Sequence, residues 1–197
     1  LERPTKEEIR ELPSYIGLNL HNVEIIEDEE DAAKAIEQLK DAVCLGFDTE
    51  SKPTFRKGEI SLGPTLIQLA TESKAFLFPT RFPSAVSSAN QILSDASIKK
   101  VGFGTNGDKR ELRTKLNINI QNLQDLSITL KNLIGDKNRI GARTAVAMVL
   151  KSRLGKGAQQ SNWGAYPLKK HQILYAANDA HSAICIQNWY AQHHKQP

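Results

Sequence analysis

Three features of the sequence predict an α/β fold: a mixed five-stranded sheet, with an antiparallel hairpin and parallel strands, flanked by helices. A continuous apolar run at residues 43–47 suits a buried strand. Two further strand-like segments, 65–70 and 74–78, are separated only by Thr71-Glu72-Ser73, which is short enough to force an antiparallel hairpin. After the hairpin, helical and strand-like segments alternate, the pattern of a sheet covered by helices.

The elements follow in order. Residues up to about 21 read as an arm or short helix. Residues 28–39 read as a helix, with Ala32, Ala33, Ile36 and Leu39 on its apolar face. A helix near 84–93 precedes a fourth strand at 99–103. Residues 108–116 are helical, and 119–123 read as a short fifth strand. Helices follow at 126–134 and 144–154, then a flexible link at 155–161. Pro167 opens a long helix that runs to about residue 190. An arm and first helix (1–42) packed on a main unit (43–197) make a single domain, as 197 residues allow.

Bulk properties exclude several classes. With 40% hydrophobic and 24% charged residues, the chain can bury a core without disulfides or structural metals. Cys44 and Cys185 lie far apart in apolar segments and read as buried free thiols. No apolar run reaches the roughly 18 residues of a membrane span, and the polar first residues carry no signal-peptide core, so a cytoplasmic location is expected. The formal charge of +4 is a mild excess. Its placement is more telling, because acids crowd the first fifty positions and the chain turns basic from Lys52 onward.

Carboxylates fall in three patterns. Asp48-Thr49-Glu50 follows the apolar run directly. Strand alternation puts Asp48 and Glu50 on one face, where the small residues Gly46 and Cys44 leave room. Paired oxygen ligands on a strand end suit Mg²⁺ or Mn²⁺, although exposed acids at a strand end are common. Tyr175 and Asp179 stand one turn apart on the long helix and share a face. His171 lies on the same stripe and reads as solvent-facing. Between these, Asp108 sits where a loop hands over to a helix, and a helix-capping acid is the plain reading. Gly102-x-Gly104-x-x-Gly107 formally matches a dinucleotide-binding fingerprint. The strand ahead of it is half charged, however, and Asp125, the only acid near the required spacing, follows no firm second strand.

In this order the segments LGFDTESKPTF, VGFGTNGDKRELRTKLNI and SNWGAYPLKKHQILYAANDAHSA closely resemble the three motifs of the DEDD exonuclease superfamily. The likeness is to its Tyr-containing (DEDDy) branch, which includes ribonuclease D and Werner-type exonuclease domains, and it covers about residues 43–190. GFGTNGD and Ser161-Asn162-Trp163 favour the Werner-type group, as does the lack of a helical RNA-binding domain after Pro197. The resemblance implies a ribonuclease H-like fold with the site at the sheet edge. It implies that Asp48, Glu50, Asp108 and Asp179 hold two divalent metal ions, Mg²⁺ or Mn²⁺, about 3.5–4 Å apart. Asp48 bridges both ions, Glu50 and Asp179 hold the one that generates hydroxide, Asp108 reaches the other, and Tyr175 orients the attacking water. The implied reaction is 3′-5′ hydrolysis of a DNA or RNA 3′ end to 5′-mononucleotides.

Two positions depart from the family. Lys169 replaces the usual capping Ser or Thr, so the last helix is expected to fray at its start. The link at 155–160 keeps one basic residue where relatives often have more. A catalytically silent nucleic-acid-binding domain is the alternative reading, and such domains typically lose an acid that this chain keeps. The loop 51–64 leaves directly from Glu50, so Lys52, Arg56 and Lys57 are expected to contact phosphates, with Phe55 stacking on a base. No motif announces a contact to the 2′-hydroxyl that separates RNA from DNA.

Overall fold

The computed structural model of the chain describes residues 1–53 and 60–194. Its organising element is strand β2 (Cys44–Ser51), whose alternating residues serve two different faces of the sheet. Leu45 and Phe47 point into the larger core, with Ile67 and Leu69 of β3 (Pro64–Ala70) and Phe76 and Phe78 of β4 (Ala75–Pro79). Helices α2 (Glu29–Leu39) and α3 (Pro83–Leu93) close this face, joined by Leu112 of α4 (Asn106–Leu116). The other face of β2, carrying Cys44, Gly46, Asp48 and Glu50, meets the long helix α7 (Lys170–His193).

Among the described residues, six strands stand in the order β1-β4-β3-β2-β5-β6. The hairpin pairs β2–β3 and β3–β4 are antiparallel, and the pairs β1–β4, β2–β5 and β5–β6 are parallel. Strands β5 (Lys99–Gly102) and β6 (Leu123–Asp125) complete one side. The mixed architecture is the one expected, with one strand more than the five anticipated. The extra strand, β1 (Val23–Ile25), has only three residues, too few to show periodicity, and it forms an edge held partly by a 2.6 Å Lys74–Glu24 ion pair.

Local differences from the sequence reading have physical reasons. On α2 the buried residues are Ala32, Ala35 and Leu39, while Ala33 is exposed. Ala35 sits between the i and i+4 neighbours of that face, whereas Ala33 is rotated away from it. Both cysteines are free but half-buried rather than buried. The charged look of β5 is misleading, because Lys100 has no exposed surface and donates its ammonium to the Asp95 carbonyl at 2.7 Å. Its apolar stem is buried and its head finds backbone oxygen. Helix α7 starts at Lys170, three residues after Pro167, and its start is tied down without a capping hydroxyl. Gln172 accepts the Lys169 N–H at 3.0 Å and donates to the Asn162 carbonyl at 3.4 Å.

Two further helices, α5 (Leu126–Leu133) and α6 (Ala142–Leu150), form a second core with β5 and α7. The N-terminal arm, with α1 (Lys6–Glu11), lies along this side. Tyr15 donates its N–H to the Arg153 carbonyl at 3.0 Å, and Arg153 donates to Pro13 at 2.7 Å. Asn178 of α7 accepts the Leu18 N–H at 2.8 Å. Among the described residues, no helix is long and apolar enough to cross a membrane.

The contact between α7 and β2 depends on one missing side chain. A Cβ at Gly46 would overlap the Ala180 carbonyl oxygen and stand 2.9 Å from its carbon. Gly107, in α4, has nothing within 4 Å of such an atom. Gly46→Ala is therefore expected to cost about 2–3 kcal/mol, the upper range for overpacking. Gly107→Ala should be neutral or stabilising by about 0.5–1 kcal/mol, since it only lowers the entropy of the unfolded chain. Urea denaturation of the two variants checks this, and equal stabilities would contradict the packing argument.

Candidate metal-binding and nuclease site

The site lies where β2 outruns its neighbour. β5 pairs with β2 only as far as Gly46↔Val101, so beyond that point β2 keeps β3 on one side alone. The turn after β5 fills the vacated edge. Gly102 packs against the Phe47 carbonyl, which a Cβ would approach to 2.6 Å, and Gly104 adopts φ +67°. Gly104 also donates its N–H to Asp125 at 3.0 Å, while the same carboxylate oxygen caps α5 by accepting from the Ser127 N–H at 2.9 Å. Gly102 and Gly104, two of the three glycines that imitate a dinucleotide fingerprint, thus build the turn that delivers α4, Gly107 lies within the helix, and Asp125 is a helix cap.

Asp48 and Glu50 project from the α7 face of β2, and Asp179 comes down to them from α7. One carboxylate oxygen from each of the three lies within 4.8 Å of the others. That is about twice a metal–oxygen bond of ~2.0–2.6 Å, and the donor set is entirely hard oxygen. Asp108 arrives differently. It occupies the first turn of α4 and accepts a 2.5 Å hydrogen bond from Thr49, whose side chain alternates to the opposite face of β2. It therefore stands beside the close group of three, near enough for its charge to act on Asp48 and Glu50.

A cleft of about 480 Å³ opens over these groups, lined by Asp48, Glu50, Tyr175 and Asp179 together with Arg139 and Arg143. The Tyr175 ring packs 6.1 Å from the buried Trp163. The Ser161-Asn162-Trp163 segment thus supplies a floor for Tyr175.

Burial and like charge dominate the electrostatics of the site. Burial first, then Asp179, Asp108 and Glu50, push the Asp48 carboxyl well above the usual carboxylate range. Burial, with Asp179 and Asp108, pushes Glu50 up to about 8. Burial raises Asp179 to about 7, opposed by a hydrogen bond from the Tyr175 hydroxyl and by the Arg143 charge. Burial also raises Asp108, with the Thr49 hydrogen bond opposing it. The Tyr175 hydroxyl is shifted upward by burial and by Asp179 and Glu50, so it stays protonated as a donor.

The other expected contacts are placed as follows. Lys52 is exposed beside Gly164 and does not line the acidic cleft. Phe55, Arg56 and Lys57 fall outside the described residues. His171 is exposed. Sequence reading missed Arg143, which no motif marks. It also missed Gln68, directly across from Asp48 on β3, whose fully buried amide has no hydrogen-bond partner among the described residues. Directly opposed residues share a face at close range, so the β3 register was needed to find it.

Comparisons with known proteins identify the family. A sequence model of the 3′-5′ exonuclease family matches residues 23–189. The chain belongs to that family. It is 31% identical over 142 residues to a 3′-5′ exonuclease of Arabidopsis thaliana, covering 71% of this chain and 49% of that protein. It is 28% identical over 159 residues to the mouse bifunctional 3′-5′ exonuclease/ATP-dependent helicase WRN, covering 76% of this chain and 11% of that protein. The chain thus spans half or less of the length of these two relatives. Among solved structures, the Nibbler EXO domain of Aedes aegypti superimposes with a TM-score of 0.78 at 21% identity, over 90% of each chain. Trypanosoma brucei RNase D in complex with RNA U12 gives 0.78 at 20% identity, over 97% of this chain and 66% of that one. These two share the fold, a mixed sheet of the ribonuclease H-like exonuclease type.

The raised carboxyls have a measurable consequence. Glu50 and Asp179 bind protons more tightly folded than unfolded, where carboxylates titrate near about 4. The stability they contribute is complete below that range and is lost as pH rises through about 7 and 8. In chelator, the melting temperature should therefore fall as pH rises from 5 to 8. Glu50→Gln should flatten that fall, and millimolar Mg²⁺ or Mn²⁺ should restore the lost stability at pH 8. A melting temperature independent of both pH and metal would contradict the site's electrostatics.

Proposed function

We propose that the chain is a metal-dependent 3′-5′ exonuclease of the DEDDy type, removing 5′-mononucleotides from a nucleic-acid 3′ end. The observation that carries this reading is the convergence of Asp48, Glu50 and Asp179 to within 4.8 Å at a cleft that Tyr175 also lines. Family membership supports the reaction class, and the RNA complex of the T. brucei relative supports a nucleic-acid strand as substrate.

The donor set fits divalent magnesium or manganese, because it is all carboxylate and the charges of Asp179, Asp108 and Glu50 all fall on Asp48. Asp48, Glu50 and Asp179, with Asp108 beside them, would hold such ions, which would supply charge neutralisation at the scissile phosphate and activation of the attacking water. The protein's own residues do the positioning. Asp48 and Glu50 stand on a rigid strand rather than a loop, so their separation is set by the backbone. Thr49 fixes the Asp108 carboxylate by hydrogen bond. Asp179 is steadied by Tyr175 one turn earlier. When substrate is bound, the Tyr175 hydroxyl, held protonated, turns its single hydrogen from Asp179 to a water or a phosphate oxygen and orients it by donation.

The test is single-turnover cleavage of 5′-labelled single-stranded DNA and RNA with Mn²⁺. Wild type should shorten the label-bearing strand progressively from its 3′ end. Asp48→Ala and Asp179→Ala should fold normally and abolish cleavage. Tyr175→Phe keeps the ring against Trp163 and removes one donor, so its rate should fall by about 10²-fold with little change in binding. Wild-type rates for the Phe variant would reduce Tyr175 to a packing residue. Substantial activity in either Ala variant would overturn the assignment of the acids.

A further inference from the structure

Beside the acidic cleft lies a second and larger hollow of about 710 Å³, and its lining is chemically opposite. Lys6 and Arg10 of α1, Arg143 of α6, and Arg153 and Lys156 of the following strap all border it, and among the described residues no carboxylate does. Four of these five side chains, all but Arg143, are exposed. Among the described residues, neither Lys6 nor Lys156 has a carboxylate partner. Arg10 faces Glu7 at 3.9 Å, with both side chains more than 70% exposed, a pairing too long and too wet to neutralise it. Arg153 spends one N–H on the Arg10 carbonyl at 3.2 Å and keeps its charge.

The hollow is continuous with the acidic cleft. Arg143, Thr144, Leu154 and Gly155 border both. Arg143 is the hinge between them: its charge reaches Asp179, and its Nε is buried with no hydrogen-bond partner among the described residues. A buried guanidinium N–H left unpaired is costly unless a ligand supplies an acceptor. Five cations along a groove that runs into a cluster of acids match a polyanion whose end alone needs divalent metal.

We propose that this groove is the track for the backbone phosphates of a single nucleic-acid strand, leading from α1 of the N-terminal arm past Arg143 to the carboxylate cluster. It rests on the exonuclease reading for the direction of the strand. The arm, which lies outside the three sequence motifs, is thereby part of the substrate surface. The hydrogen bonds between Pro13, Tyr15 and Arg153 hold it at the groove wall. Phosphate recognition of this kind is shared by DNA and RNA, and it is read as salt-dependent affinity.

The test measures binding, not cleavage. Fluorescence anisotropy in chelator compares labelled dodecamers and trimers, as both DNA and RNA, for wild type and Lys6→Gln/Arg10→Gln. A second double variant, Lys34→Gln on α2 and Lys40→Gln at its C-terminal cap, removes the same charge from a region that lines neither hollow. The arm variant should bind dodecamers on the order of 10-fold more weakly. Its plot of log affinity against log salt should be shallower by about 1.4, at ~0.7 per lost single-strand phosphate contact. Trimer affinity and the α2 variant should hardly change. Loss with both nucleic acids assigns the contacts to phosphate, and loss with one alone assigns the groove to that strand. Unchanged dodecamer affinity and slope, or equal losses for trimer, dodecamer and the α2 variant, would overturn the proposal. A wild type that binds strands without cutting them would defeat the exonuclease reading and leave this test standing.

Discussion

The close approach of α7 to β2 at Gly46 is the constraint on which the rest of the structure depends. Because no side chain intervenes, the helix backbone lies directly on the strand, and Ala176, Ala177, Ala180 and Ala183 are buried along the helix that makes this contact. Asp179, next to Ala180, is thereby carried to Asp48 and Glu50, two and four residues beyond Gly46 on the same strand face. Any side chain at Gly46 lifts the helix and with it one of the three carboxylates. A packing contact immediately behind the carboxylates thus sets the dimensions of the charged site.

That arrangement works against stability. Burial raises the affinity of all three carboxylates for protons, and the charge of Asp179 adds to it at Asp48 and Glu50, so the fold carries a cost that a bound cation would offset. The surrounding structure holds the site against it. Both faces of β3 and β4 are buried, the larger core locks Leu45 and Phe47, and the N-terminal arm pins α7 through Asn178. Such local strain in a rigid frame is common where a site must be ready before its ligand arrives.

Much of this was legible in the sequence because the relevant rules are local. Alternation in β2 put Asp48 and Glu50 on one face, and a four-residue spacing put Tyr175 with Asp179. The hairpin was visible from the short link after Ala70. What was not legible depends on contacts distant in sequence. β1 is too short to announce itself and exists because β4 offers it an edge. Ala35 in place of Ala33, and the complete burial of Lys100, depend on which neighbours cover a face. Gln68 shows its relation to Asp48 only through strand register, and Arg143 only through the position of α6. Gly46 reads in the sequence only as leaving room on that face, and what fills the room is the backbone of α7.

The central claim is that these carboxylates, gathered by α7 on β2, form a divalent-cation site. Titration of Mn²⁺ by electron paramagnetic resonance, with wild type and Asp179→Asn compared at pH 8, tests it most directly. The account predicts saturable wild-type binding, with affinity falling at least about 10-fold when one direct carboxylate ligand is neutralised. Equal Mn²⁺ affinity in the two proteins, or no saturable binding by wild type, would contradict it.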